Sequence, residues 1–159
     1  MLKKHSKFFE SLLLLADWFT LSLAWVSSYY LRFYSGIIPV YKGIPSFKIY
    51  LTLLVFMIPL WGLVFKVFGL YRPRRVSTRF YEILDIGKAS TFATLILISL
   101  TFLYRQYEFS RLTFFYFWLI NIVLLSLTRI LFREFLRFLR QKGYNQRYAL
   151  IIGTEKLGQ

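Results

Sequence analysis

The sequence predicts an all-α membrane protein, a four-transmembrane-helix bundle followed by the first strand of a truncated α/β domain. Three observations lead to this fold class. Of the 159 residues, 57% are hydrophobic and 21% aromatic, which is too apolar for an ordinary soluble domain. The apolar residues gather into four runs, most of them close to the ~20 residues a helix needs to cross roughly 30 Å of hydrocarbon. The basic residues behind the net charge of +14 flank those runs and do not form a stripe on a polar surface.

The first span is expected at about residues 8–32. Lys3, Lys4 and Lys7 precede it, as in a signal peptide, but the apolar run is longer than an h-region. It also carries Glu10 and Asp17 and lacks a small-x-small cleavage site, so it reads as a retained span. Arg32 ends it, and Tyr29, Tyr30, Phe33, Tyr34 and Tyr41 form an expected aromatic belt at the interface. Gly36, Pro39, Gly43 and Pro45 mark the following loop.

The second span is expected at 47–70, with Pro59 near its middle as a source of a kink. FGLYRPRR follows. Residues 76–87 keep helical apolar spacing at Val76, Phe80, Ile83 and Leu84, which predicts a short amphipathic helix on the bilayer surface or leading directly into span three. The third apolar run, 89–104, makes only about 24 Å of helix. It must borrow residues 83–88 or thin the bilayer, and the span is placed at 86–104. Its small hydroxyl residues favour close helix approach.

The fourth span, 112–132, continues without Pro or Gly into a basic amphipathic extension that reaches residue 142. Arg129, Arg133, Arg137 and Arg140 recur there every three or four positions among Phe132, Phe135, Leu136 and Leu139. Gly143 is the expected helix stop. RYALIIG then reads as a buried strand running into GTEKLG, so 143–159 is the expected start of a truncated cytosolic domain.

Four spans put both termini on one side. Sixteen Lys and Arg fall on the terminal side and five on the other, which predicts that both termini of this multi-pass membrane protein are cytoplasmic. The same rule accounts for the basic balance without nucleic acid.

Candidate chemistry is sparse. With no cysteine and one histidine, His5 in the N-terminal tail, thiolate chemistry and Cys or His metal sites are set aside. Seven acids placed this way assemble no carboxylate dyad and no nucleophile–base pair. No catalytic, cofactor-binding or metal-binding residue is therefore expected in this chain. Asp17 lies about two turns inside the first span, and Arg129 lies at a comparable depth in the fourth. They read as an intramembrane ion pair locking the two spans together; a lipid-phosphate or proton site, or separate snorkelling to the interface, are the alternatives. Asn121 is deeper and reads as an interhelical hydrogen bond. Arg72, Arg74, Arg75, Arg133 and Arg137 are candidate lipid-phosphate contacts, against the simpler reading of topology plus attraction to anionic lipid. In GTEKLG, Gly153 and Gly158 hold the outer positions of a dinucleotide fingerprint, but Glu155 stands where the middle glycine must let a pyrophosphate approach. That opposes nucleotide binding.

The order of these features, a four-span start, FGLYRPRR after span two, SRLTFFYFW opening span four and REFLRFLRQKGYNQRYALIIGTEKLG, resembles the bacterial polyprenyl glycosylphosphotransferases. These are membrane undecaprenyl-phosphate sugar-1-phosphate transferases that initiate exopolysaccharide or O-antigen repeats. The resemblance covers essentially the whole chain and rests on anchoring motifs. It implies that the strand at the C-terminus opens a Rossmann-like domain, and that a catalytic domain absent here uses Mg²⁺. It further implies membrane lipid, including undecaprenyl phosphate, and a second copy of the chain as partners. Membrane-bound nucleotide-sugar dehydratases or epimerases share a similar start, and a non-enzymatic four-helix partner-binding module is a third reading. Glu155 and RPRR without a nearby Trp-Arg-Tyr favour the transferases.

Overall fold

The computed structural model describes residues 2–40, 43–71, 79–103 and 109–141. They form four helices, α1 Leu2–Phe33, α2 Phe47–Val67, α3 Arg79–Leu103 and α4 Arg111–Gln141. Each contains a stretch long and apolar enough to cross a membrane: Glu10–Phe33, Phe47–Val67, Phe80–Leu103 and Arg111–Phe138. Among the described residues no strand is present; the strand expected at 147–152 and the Gly143 stop lie outside them.

The chain divides into two compact units, Met1–Arg129 and Ile130–Gln159. The first holds α1, α2, α3 and α4 as far as Arg129. The described part of the second is the continuation of α4 to Gln141.

Span three borrows the residues before its short apolar run, one of the two expected ways of completing it. One uninterrupted helix starts at Arg79, so the apolar positions Phe80, Ile83 and Leu84 extend the span itself, and its 25 residues make about 37 Å. The second helix is shorter than expected, ending at Val67 and not near residue 70, because Gly69 adopts φ +69°. The Gly69 N–H then donates to the Lys66 carbonyl at 3.1 Å and the Leu70 N–H to the Phe65 carbonyl at 3.0 Å. This is the paired closure of a Schellman cap, available cheaply because glycine has no Cβ to clash in the left-handed region. Pro59 lies inside α2 on its exposed side, and the helix continues through it.

The distribution of residues is inverted relative to a water-soluble bundle. Large apolar side chains face outward: Phe19 is 72% exposed, Val55 68%, Leu63 62% and Phe102 72%. Polar ones face inward, with Asp17, Thr20, Ser28, Ser90, Thr94, Thr113, Asn121 and Arg129 all buried. In water so much exposed apolar surface would drive association; against lipid tails it costs nothing, whereas an outward polar group would be penalised.

At one end of the bundle an aromatic core joins α1, α2 and α4. The Trp25 indole packs on Tyr50, Phe114 and Phe117 with ring centroids 5.7, 5.6 and 5.2 Å away, and its N–H donates to the Tyr50 main-chain carbonyl at 2.8 Å. This arrangement corrects the expected aromatic belt. Tyr29 and Phe33 are four residues apart on the inner face of α1, buried and packed edge-on against Tyr50. Tyr30 and Tyr34 occupy the outer face and are exposed. A run of neighbouring aromatics in a helix is divided between two faces by the 3.6-residue period; Tyr41 lies outside the described residues. Arg32 closes this end, its guanidinium donating to the Ile38 carbonyl at 2.8 Å and to the Ser110 hydroxyl at 3.3 Å.

Candidate functional site

The most unusual chemistry is at the opposite end of the aromatic core. On α1, Asp17 and Thr20 are three residues apart and share the inner face. On α4, Thr128 and Arg129 point back at them. Arg129 Nη2 donates to Asp17 Oδ2 at 2.8 Å, and both residues are buried. The Thr20 and Thr128 hydroxyls are 3.0 Å apart. Thr20 donates its one hydroxyl proton to the Ala16 carbonyl at 2.8 Å, so Thr128 is the donor between the two threonines.

Tyr71 completes the group. It follows the Schellman cap of α2, and the Arg129 guanidinium lies over its ring, 5.6 Å from the centroid, within the range of a cation–π contact. Burial, reinforced by the nearby Asp17 charge, raises the Tyr71 phenol above its usual range, so it stays protonated beside the pair. Because Tyr71 lies beyond the end of α2, the cation–π contact fixes the depth of the ion pair at the level where α2 terminates.

The ion pair is incompletely satisfied. Asp17 engages Arg129 through one oxygen and one nitrogen, and Asp17 Oδ1, Arg129 Nε and Arg129 Nη1 are buried with no hydrogen-bond partner. Each buried polar atom left in this state costs about 1–3 kcal/mol. Arg129 Nε and Nη1 lie on different edges of the guanidinium, on either side of the Nη2 that bonds Asp17, so the unpaired donors point in different directions.

The other polar contacts are simpler. Trp118 Nε1 donates to the Thr91 hydroxyl at 2.9 Å, tying α4 to α3. Asn121 Nδ2 reaches Ser90 Oγ at 3.5 Å, while Asn121 Oδ1 has no partner. Arg137 pairs with Glu134 along α4 at 3.1 Å, both well exposed; Arg133 is half-buried and also engaged. Arg72, Arg74 and Arg75 lie outside the described residues. Among the described residues, no three His, Cys, Asp or Glu side chains converge to hold a metal ion. Sequence reasoning missed Tyr71 and the Thr20–Thr128 pair. The spacing of Asp17 to Thr20 and the adjacency of Thr128 to Arg129 were visible signals, whereas the return of Tyr71 to the pair depends on the cap at Gly69.

A family model described as a CoA-binding domain matches residues 66–158, more than half of the chain. Domains of this kind occur in bacterial sugar transferases and polysaccharide-biosynthesis proteins. No curated protein and no solved structure matches the chain.

Proposed function

The chain belongs to the family of CoA-binding domains found in bacterial sugar-transferase and polysaccharide-biosynthesis proteins, and we propose on that footing that it is the membrane-anchoring N-terminal module of an undecaprenyl-phosphate sugar phosphotransferase initiating exopolysaccharide or O-antigen synthesis. The observation that carries this reading is the inverted bundle, with apolar side chains outward and Asp17, Asn121 and Arg129 inward. Such a body holds and orients a catalytic domain at the bilayer without doing chemistry itself. The sixteen-to-five division of Lys and Arg supports both termini facing the cytoplasm of an inner membrane, the side on which nucleotide sugars are found.

The family description names coenzyme A, and the described residues do not fit it. Within the matched stretch they are the end of α2 with its cap, α3 and α4. Backbone N–H groups inside these helices are spent on helical hydrogen bonds, their outward faces within the spans are apolar, and the exposed Arg137 of the α4 extension is paired with Glu134. None of these supplies the backbone amides or basic cradle that a pyrophosphate requires. The glycine turn at 153–158 lies outside the described residues, and Glu155 there opposes an anion.

Reporter fusions test the reading. A reporter active only in the periplasm is expected to be silent when fused after Leu70 or Arg140 and active when fused near Gly43 or Tyr107. The chain is also expected to resist extraction from membranes at alkaline pH. A periplasmic signal at Arg140 sinks the four-span arrangement, and with it the anchoring role.

A further inference from the structure

We propose that the outer face of α2 around Val55 and Pro59 docks a transmembrane helix of another protein. That helix presents an Asn or Gln side chain at mid-bilayer depth. The proposal takes from the anchoring reading only that lipid surrounds the bundle. Its chemistry comes from one backbone group. Pro59 lies inside α2 and has no N–H, so the Val55 carbonyl loses the helical donor four residues on. In a membrane helix a neighbouring helix ordinarily covers such a carbonyl. Here no helix of the chain lies on that side. Val55 is 68% exposed, Phe56 and Leu63 are each 62% exposed, and Pro59 is exposed with them. The packing of α2 runs through the other face, at Tyr50, Met57, Trp61, Val64 and Phe65.

Depth makes the gap costly. Val55 lies about 12 Å along the axis from the start of α2 and about 18 Å from its end, away from the water at either surface. The helix is unbroken from Phe47 to Val67, so the backbone does not unwind to find another donor. The outward hydroxyl on this face, Thr52, gives its proton to the Lys48 carbonyl at 3.1 Å. The outward Ser99 of α3 likewise bonds its own helix, at the Leu95 carbonyl. Against lipid tails the Val55 carbonyl is an acceptor without a donor, which costs free energy until a partner supplies one.

The acceptor selects that partner. Hydroxyls in a helix bond back to their own turn, as Thr52 and Ser99 do, and have a single proton to give. Charged donors are expensive at this depth, and Trp and Tyr favour the interfaces. A carboxamide carries two N–H groups and no charge. A second copy of this chain does not offer one: among the described residues Asn121 is the only Asn or Gln within the four spans, and it is fully buried.

The test uses the full chain in phosphatidylcholine liposomes with a dye on its N-terminus. The probes are dye-labelled leucine–alanine helices of membrane-spanning length, one with a central Asn and its control with Leu there. Both are kept dilute enough in lipid that probe does not pair with probe. Energy transfer is expected to show the Asn helix binding the chain about threefold more tightly than the Leu helix, as for an average polar contact between membrane helices. Pro59→Ala returns the helical donor to the Val55 carbonyl, and is expected to make the two probes bind alike. Alanine favours helix far more than proline does, so this variant keeps the fold. Phe19→Ala, on the outer face of α1, is expected to retain the difference. Equal binding of the two probes by the unaltered chain overturns the proposal. So does a preference that survives Pro59→Ala or that Phe19→Ala abolishes. None of these outcomes changes the reporter pattern, so failure of the docking face and failure of the anchoring role are told apart.

Discussion

Asp17 and Arg129 are 112 positions apart in the sequence and 2.8 Å apart in space. That contact ties the first helix to the last at the level where α2 ends, and Tyr71 covers the guanidinium from the connection that follows. The pair joins the Thr20–Thr128 contact and the packing of Trp25 on Phe114 and Phe117 in holding α1 to α4, and it does so with opposite charges in a medium that tolerates neither alone.

Coupling between the two is the first expected consequence. Removing one partner leaves an uncompensated buried charge, which costs about 3–5 kcal/mol. Asp17→Asn and Arg129→Gln are each expected to destabilise the chain by that order in detergent, measured by reversible unfolding. The double variant is expected to lose clearly less than the two losses added together, and exchanging the residues, Asp17→Arg with Arg129→Asp, to recover part of the stability. Strict additivity would mean the two charges are not partners.

The inverted distribution predicts a contrast between two aromatic residues of α1. Trp25 is 1% exposed and bonded to the Tyr50 carbonyl, so Trp25→Ala is expected to cost about 3–5 kcal/mol through cavity formation. Trp25→Phe, which keeps most of the packing, is expected to lose mainly the hydrogen bond, about 1 kcal/mol. Phe19 is 72% exposed, and Phe19→Ala is expected to change stability by no more than about 0.5 kcal/mol. A loss at Phe19 matching that at Trp25 would show that the outer face packs against protein.

Asn121 is expected to behave unlike Asp17. It is fully buried, but its one hydrogen bond is long at 3.5 Å and its Oδ1 is unpaired. Polar side-chain contacts between membrane helices average only about 0.6 kcal/mol, and the unpaired oxygen works against even that. Asn121→Leu, close in volume, is expected to leave unfolding unchanged or to raise stability by up to about 1 kcal/mol. A loss above about 2 kcal/mol would require a partner for Oδ1.

The legibility of this molecule in its sequence follows the range of each signal. The helices were legible because an apolar run of membrane length leaves the backbone one way to satisfy its hydrogen bonds. Asp17 and Arg129 stood out because ionised side chains at such positions are costly. What was hidden depended on rotation and capping. The aromatic run at 29–34 gave no sign that Tyr29 and Phe33 turn inward, since aromatic residues suit both a core and an interface. The helical spacing over 76–87 was legible too, but Glu82, Asp85 and Lys88 lower its hydropathy, which left open whether it lay on the surface or joined span three as it does. Tyr71 was invisible as a site residue because its position depends on the left-handed turn at Gly69.

The family description supplies the last prediction. A protein grouped with CoA-binding domains invites a test with coenzyme A, and the expected result is no saturable heat in calorimetry of the purified chain. The same is expected with NAD and UDP-glucose. The ground is physical: the described part of the matched stretch is the α2 cap and helices whose interior amides are already bonded, and Glu155 places a carboxylate within the G-x-x-x-x-G sequence, where a pyrophosphate needs backbone N–H groups and no negative charge. Mixing the chain with UDP-glucose, Mg²⁺ and undecaprenyl phosphate is likewise expected to release no UMP. Release of UMP that a single substitution among these residues abolishes would place catalysis inside the bundle. The Asp17–Arg129 site would then be the first place to look, because it holds the buried charge and unpaired donors that a reacting phosphate needs.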